Sequence, residues 1–319
     1  MKIATVIIGR NEGARLVACL ASVDNGQGEI VYVDSGSTDG SVAAAEAVGA
    51  QVVGLDPNVP FTAARARNAG VAALNSPHDM VQFIDGDCVL DPDWIGAAQA
   101  FLEAHPDVAV VCGRRRERYP EHSIYNRLCN FEWNTPVGEA KACGGDAMMR
   151  LSAFQAVDGF NPSLIAGEEP ELCVRLRAEG WKVWRLDAEM TLHDADITRF
   201  GQFWKRAKRS GHAFAQGAVM HGAAPEYHGV AGTRRALIWG LALPVAIIVL
   251  ALIFGPWALA LVLIYPVQIA RLAHRYGGQT EAWERATLLT VGKFAESWGV
   301  VSYHLRRWRG RDAALIEYK

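Results

Sequence analysis

The sequence predicts an α/β protein in which a mostly parallel sheet, over residues 1–200, is followed by a helical region that contains a membrane hairpin. Three observations predict it. Short apolar runs alternate with helix-like stretches from residue 1 to residue 112, the rhythm of βαβ units. An uncharged run from Ala236 to Ala270 is split by Gly255-Pro256 into two apolar arms. Composition frames both: 319 residues, 50% hydrophobic and 21% charged, describe a globular chain with room for one sizeable domain and something smaller.

The first strand is read from Ile3 to Ile8 within MKIATVIIGRNEG, whose apolar run is too short for the core of a signal peptide. A helix from Ala14 to Ala21 follows. Strand Ile30 to Val33 then leads to helix Ser41 to Val48, strand Val52-Val53 to helix Thr62 to Leu74, and strand Met80 to Ile84 to helix Trp94 to Ala104, before a strand from Val108 to Val111. Residues 113–147 break the rhythm with Arg, Asn, Glu and aromatics at weak periodicity, which reads as a candidate binding loop. Helices are expected at Leu151 to Val157 and Glu171 to Gly180, short strands at Lys182 to Arg185 and Met190 to Leu192, and a long amphipathic stretch from Arg199 to His221.

Leu237 to Phe254 spans about 27 Å as a helix and Trp257 to Ala270 about 21 Å. The first arm is long enough to cross a hydrocarbon core; the shorter second arm leaves spanning and re-entrant hairpins both open. Arg234 and Arg235 precede the pair and Arg271 and Arg275 follow it, which puts both outer ends on the cytosolic side. Beyond the hairpin, Leu288, Val291, Ala295, Trp298 and Leu305 recur at helical spacing with Lys293 and Glu296 off the stripe, and the motif HLRRWRGR follows. Basic residues interleaved with Trp suit a helix lying in the membrane interface; a solvated helix packed on the sheet domain is the other reading.

A formal net charge of -2 excludes a globally basic nucleic-acid binder. Charge is uneven, with local basic clusters at Arg114 to Arg118, Lys205 to Arg209, Arg234-Arg235 and Arg306 to Arg311 that suit phosphates or anionic lipid. The six cysteines include no C-x-x-C pair, so they read as buried, reduced thiols on a cytosolic face.

One stretch concentrates negative charge. FIDGDCVLDPDW, Phe83 to Trp94, carries four aspartates directly behind the apolar run Met80, Val81, Phe83, Ile84. Ligands bind at strand tips of open α/β sheets, and carboxylates one residue apart suit a hard divalent cation. A turn is the alternative, since Asp and Gly are common turn formers.

Five blocks, in order and spacing, resemble the family 2 glycosyltransferases over residues 3–210. They are VIIGRNEGARL, VYVDSGSTDGS, ARARNAG, the aspartates just described, and GGDAMMRLSAF followed by VDGFNPSLIAGEEPELCVRL. The resemblance implies a GT-A fold for the sheet domain and transfer of a sugar from a nucleotide diphosphate donor to an acceptor. It implies that Asn11, Glu12, Asp34, Arg67, Asn68 and Asp85 contact the donor nucleotide or its diphosphate. In Asp85-Gly86-Asp87 it makes Asp87 the ligand of Mn²⁺ or Mg²⁺, leaving Asp91 and Asp93 as turn and helix N-cap. Glu168-Glu169 stands where Glu-Asp is usual, with Glu169 expected to deprotonate the acceptor hydroxyl and Glu168 to orient it. The other reading of that pair is helix N-terminal electrostatics. His193, in TLHDAD, is a further candidate metal or diphosphate ligand. QFWKRAKRSGHAF departs from the strict Q-x-x-R-W pattern of processive synthases, which argues for adding one sugar per encounter.

The expected protein is a membrane-associated, inverting, metal-dependent glycosyltransferase, with UDP expected ahead of GDP and a lipid-linked or membrane-proximal glycan as acceptor. Its catalytic domain is expected on the cytosolic face of the inner membrane, in polysaccharide or glycolipid synthesis. The expected segments are a catalytic domain over 1–200, an interfacial helix and linker over 201–235, the hairpin over 236–270 and a basic amphipathic tail over 271–319. A sugar-phosphate nucleotidyltransferase and a non-catalytic glycan- or nucleotide-binding subunit are the rival readings.

Overall fold

The computed structural model describes residues 1–23 and 28–310; residues 311–319, the end of the expected basic tail, lie outside the described residues. The chain forms two compact units, one made of Met1–Tyr119 and Cys129–Ala195, the other of Pro120–Leu128 and the chain from Asp196 on.

The first unit begins β1 (Ile3–Gly9), α1 (Ala14–Val23), β2 (Glu29–Asp34), α2 (Ser41–Ala47), β3 (Gln51–Gly54), α3 (Ala63–Ala72), β4 (Met80–Asp85), β5 (Cys88–Leu90), α4 (Trp94–Ala104) and β6 (Val108–Glu117). After α5 (Ile124–Glu132) come β7 (Gly138–Ala140), β8 (Ala147–Arg150), α6 (Leu151–Ala156), α7 (Glu168–Ala178) and β9 (Lys182–His193). Among the described residues the strands form one sheet in the order β3-β2-β1-β4-β8-β6-β9-β5, with β7 also paired to β9. β3, β2, β1 and β4 run parallel, as the alternating pattern predicts. β8 then enters antiparallel between β4 and β6, so the sheet is mixed.

Strand sequences explain the burial. Five consecutive residues of β4, Met80 to Ile84, are buried, which requires cover on both faces of the sheet. The one polar member, Gln82, is satisfied: its Oε1 accepts from Trp94 Nε1 at 2.8 Å and its Nε2 donates to the Phe83 carbonyl at 2.6 Å. The core joins Val6, Ile7, Val31, Val33, Phe83 and Ile84 from the strands to Leu16, Leu20, Trp94, Leu102 and Leu172 from the helices. β1 lies between β2 and β4, with Gly9 level with Asp34 and Ile8 level with Asp85. Two acidic strand tips therefore flank the end of β1 at the carboxyl edge, where the strand order changes direction.

Two expectations change here. Residues 113–147 are structured: β6 runs on to Glu117, and α5 and β7 follow. The two strands expected at 182–185 and 190–192 are one, β9, which pairs β7 near its start and β5 at its end. Register shifts between β6 and β9 at Val108/Val110, Cys112/Arg114 and Arg114/Arg115 break the two-residue alternation. That is why the pattern fades in the sequence.

The second unit contains α8 (Phe200–His221), α9 (Val230–Leu237), α10 (Leu243–Phe254), α11 (Ile264–Arg275) and α12 (Thr280–Trp308). A π turn at Ile238–Ala242 joins α9 to α10 just before Pro244, which has no N–H to give the regular ladder. Val230–Phe254 and Pro256–Arg275 are long and apolar enough to cross a membrane, and 6% of each apolar window is buried. Gly255, at φ 93°, makes the turn between them. Leu252, Phe254 and Trp257 at the tip are 81%, 72% and 87% exposed.

α8 and α12 approach closely through glycines. A Cβ at Gly211 would collide with the Glu296 carbonyl, and one at Gly299 with the Lys208 carbonyl. Leu288 and Ala295 of the expected α12 stripe are buried, but Trp298 and Leu305 are exposed. Glu296, expected off the stripe, is buried and paired with Lys293 at 2.6 Å. The small residues, not the large apolar ones, set the seam.

Candidate active site

The carboxyl ends of β1 and β2 lead into two loops that hold each other. Asn11, with φ at 55°, accepts from the Thr38 N–H through its side chain at 2.7 Å, while its own N–H donates to Ser37 Oγ at 2.9 Å. Asp34 is buried and accepts from the Gly36 and Ser37 N–H groups at 3.0 and 2.9 Å and from the Tyr32 hydroxyl at 3.2 Å. Asp39 does not cap α2 in the helix sense. It accepts from Ser41 N–H at 2.9 Å as an Asx turn and from Gly13 N–H at 3.0 Å, tying the loops together. Glu12 pairs with Arg15 at 2.7 Å.

The second layer lies at the tip of β4. Arg67, on α3 and 2% exposed, donates from Nη2 to Asp85 at 2.8 Å and from Nη1 to Glu168 at 3.0 Å and Glu169 at 3.1 Å. Its guanidinium also stands 5.5 Å from the Phe160 ring. One buried cation thus gathers three carboxylates from two places far apart in sequence, Asp85 and the adjacent pair Glu168-Glu169. Burial pushes the Asp85 carboxyl up, but Arg67 and Arg115 outweigh it and hold the group below its ordinary value. Glu169 goes the other way: burial and then the Glu168 charge raise it from 4.5 to about 7, against the opposing pull of Arg67. Both glutamates lie in the first turn of α7, where the helix dipole favours negative charge. Gly145 backs the cluster: a Cβ there would strike the Arg67 guanidinium and lie 3.1 Å from both Asp85 Oδ2 and Glu169 Oε1.

Asp85 and Asp87 face different partners. Asp87 Oδ1 is 3.3 Å from His193 Nε2, and both residues are buried. Asp87, Cys88 and His193 offer ligand atoms within 4.8 Å of one another. Burial and the neighbouring Asp146 charge push the Cys88 thiol well up, so it stays protonated and the donors that fit are the carboxylate and the imidazole. That oxygen and nitrogen pair suits Mn²⁺ and, less well, Mg²⁺. Among the described residues His193 Nδ1 has no hydrogen-bond partner; it lies 3.9 Å from Glu117 Oε2, a carboxylate behind the ring on the side where ligating histidines commonly have an acidic neighbour. The other acidic group, Asp85, Cys88 and Asp146, already has the Arg115 guanidinium against it, at 3.1 Å from Asp85 and 3.4 Å from Asp146.

Of the other expected residues, Asn68 spends both ends of its amide on the Phe160 backbone, at 2.7 and 2.9 Å. Asp91 makes an Asx turn with the Asp93 N–H at 3.0 Å, and Asp93 occupies the N-cap of α4 without a side-chain cap bond.

Glu117, Trp133 and Asp146 escaped the sequence reading, and Arg115 entered it only as a member of a basic cluster suited to phosphates or anionic lipid. Asp146 is fully buried and accepts from the Asp85 N–H at 3.1 Å and from Thr191 Oγ1 at 2.8 Å, joining β4 to β9. Arg115 stands 5.0 Å from the centre of the Trp133 ring, which packs edge to face with His193 at a centroid separation of 4.6 Å. The available signal was an acid at a strand boundary in GGDAMM and the middle position of the run Arg114-Arg115-Arg116, which alternation turns away from its neighbours.

Residues 5–155 match the family described as Glycosyl transferase family 2. The chain is 25% identical over 191 residues to the succinoglycan biosynthesis protein ExoA of Rhizobium meliloti (strain 1021), covering 55% of this chain and 57% of that protein. It is 24% identical over 174 residues to the O-antigen chain rhamnosyltransferase WbaN of Salmonella anatum, covering 50% and 54%. The chain thus spans little more than half the length of these curated relatives. Its fold is shared with the mannosyltransferase PcManGT of Pyrobaculum calidifontis, solved with GDP-Man and Mn²⁺, at a TM-score of 0.67 and 18% identity over 94% of this chain and 87% of that one. The GT-A fold implied by the five blocks is the fold observed.

Proposed function

Through residues 5–155 this chain belongs to glycosyl transferase family 2, and on that premise we propose that it moves a sugar, with inversion, from a nucleotide diphosphate donor to an acceptor hydroxyl. The observation that supports this reading is the Arg67 cluster, in which a donor-side carboxylate, Asp85, and an acidic pair, Glu168-Glu169, share one guanidinium. Glu169 is the general base. A carboxyl raised to about 7 holds the proton-accepting strength that an alkoxide-forming step needs near neutral pH. Glu168, 3.0 Å from Arg67, stays behind as its orienting partner. One base and one leaving group suffice for inversion, and a retaining double displacement would need a nucleophile beneath the anomeric carbon.

Asn11, Glu12 and Asp34 line the edge that would take the nucleoside. Asp87 and His193 would hold Mn²⁺ or Mg²⁺, with Glu117 behind the imidazole. When bound, such an ion supplies Lewis-acid stabilisation of the charge developing on the departing β-phosphate. Arg115, fixed by Asp85, Asp146 and Trp133, adds a fixed positive charge beside the donor acids.

The acceptor is lipid-linked or a membrane-proximal glycan. Support comes from the exposed apolar hairpin and from relatives whose names refer to succinoglycan and O-antigen. Residues 1–200 act as the catalytic domain on the cytosolic face of the inner membrane, 201–235 as interfacial helix and linker, 236–270 as membrane hairpin and 271–319 as basic tail.

The test screens UDP- and GDP-sugars with Mn²⁺ for hydrolysis and transfer. Glu169→Gln is expected to keep donor affinity and lose transfer by about 100-fold or more, the scale of a general base. A dead Glu168→Gln beside an active Glu169→Gln would reverse the assignment within the pair, and two active variants would move the base elsewhere.

A further inference from the structure

Both residues of the Arg67-Asn68 dipeptide were expected at the donor, yet neither offers its side chain to it. Arg67 is 2% exposed, with Nη1 shared between Glu168 and Glu169 and Nη2 on Asp85. A diphosphate would have to displace a carboxylate to reach that guanidinium. Asn68 donates to the Phe160 carbonyl at 2.7 Å and accepts from the Phe160 N–H at 2.9 Å, a two-point clamp on one residue. Phe160 is 1% exposed; its ring lies 5.4 Å from Phe83, 5.3 Å from Phe154 and 5.5 Å from the Arg67 guanidinium. The loop from Phe160 leads directly into α7, whose first residue is Glu168.

We infer that Arg67 and Asn68 are positioning residues: Asn68 fixes the loop that delivers α7, and Arg67 draws the acidic pair on that helix to the donor-side carboxylate Asp85. This rests on Glu169 being the base. The arrangement makes the base's geometry depend on α3, an element on the sheet, and leaves donor binding to the strand tips. The charged and titratable groups facing Glu169 are Glu168, Arg67 and Asp85, with the thiols of Cys143 and Cys173 behind. Of these Arg67 is the one that favours the carboxylate.

The test has two arms and needs no acceptor. In the first, UDP and GDP binding with Mn²⁺ is measured by calorimetry on the full chain. Asn68→Ala is expected to retain nucleotide affinity within about threefold, and a loss of about tenfold or more would make Asn68 a donor contact and overturn the inference. In the second, the Glu169 carboxyl is titrated by carbon NMR with labelled glutamate, in Glu168→Gln and in Glu168→Gln combined with Arg67→Gln. The double variant carries the same formal charge in the cluster as the parent protein, which guards its folding. Removing Arg67 is expected to raise the Glu169 midpoint by about one pH unit or more, a tenfold change in proton affinity. Arg67→Lys on the same background is expected to restore part of that shift. An unmoved midpoint would overturn the inference. A Glu169→Gln variant with full transfer would instead refute the base assignment and leave both arms interpretable.

Discussion

Replacing Glu169 by Gln is expected to stabilise the protein above neutral pH, and the size follows from the site. The Glu169 carboxyl is raised from 4.5 to about 7, mainly by burial and by the Glu168 charge. A group whose folded value lies above its unfolded value binds its proton more tightly in the folded state. Below pH 4.5 both states are protonated and Glu169 contributes nothing to the pH dependence. Between pH 4.5 and about 7 the unfolded chain releases the proton while the folded one retains it, so stability falls with rising pH and levels off above about 7. At about 1.36 kcal/mol per unit, a shift of roughly 2.5 units corresponds to about 3 kcal/mol. Gln has nearly the shape of the protonated side chain and does not ionise. For a domain of 150–250 residues, about 2–4 °C per kcal/mol turns that into a rise in Tm of roughly 6–12 °C at pH 8, with little difference at pH 4.5. Thermal unfolding of the metal-free protein by circular dichroism in detergent at the two pH values measures it. An equal or lower Tm for Glu169→Gln at pH 8 would refute the reasoning, because it would mean that the ionised carboxylate is held at no cost.

Asp87→Ala is expected to abolish the Mn²⁺-dependent part of UDP or GDP binding while leaving the unfolding transition in place, since it removes an oxygen ligand and no side chain of the hydrophobic core; affinity that depends on Mn²⁺ as before would refute the Asp87 and His193 assignment. Gly299→Ala puts a Cβ against the Lys208 carbonyl, a backbone atom that has no rotamer to yield. The second unit is expected to lose about 1–3 kcal/mol, seen as a lower Tm or faster amide exchange in α8 and α12, and an unchanged Tm would show that the helices slide apart without strain. The hairpin is expected to leave both ends on one face of the membrane, because its two arms satisfy their backbone groups in lipid while Arg234, Arg235, Arg271 and Arg275 resist translocation. Protease protection in sealed vesicles reads this directly: a tag after Lys319, beyond the described residues, found opposite the catalytic domain would mean a single crossing.

Local rules carried the sequence reading a long way. Alternation of apolar runs with helix-period stretches located β1 to β4 and the helices between them, because a strand buried on both faces must be apolar at successive positions. Run length and the Gly255-Pro256 break located the hairpin. Acids at the ends of β2 and β4 marked the site edge, since a strand tip is a local feature. Only the tertiary structure decided what those acids do. It turned Asp85 toward Arg67 and Arg115 and Asp87 toward His193, although Gly86 alone separates them. It brought Arg67 to Asp85, 18 residues away, and to Glu169, 102 residues away. It recruited Trp133, just past the end of α5, and Asp146, just before β8, from the irregular stretch 113–147, and it set α12 on α8 through glycines that a search for apolar stripes passes over. Helix and strand patterns depend largely on neighbours within a few residues of one another, so residue order shows most of them, and long-range pairing decided the rest, as in β9. The direction of a charged side chain and the partner that compensates its burial depend on residues brought close only by folding, and that is where the chemistry of this site was decided.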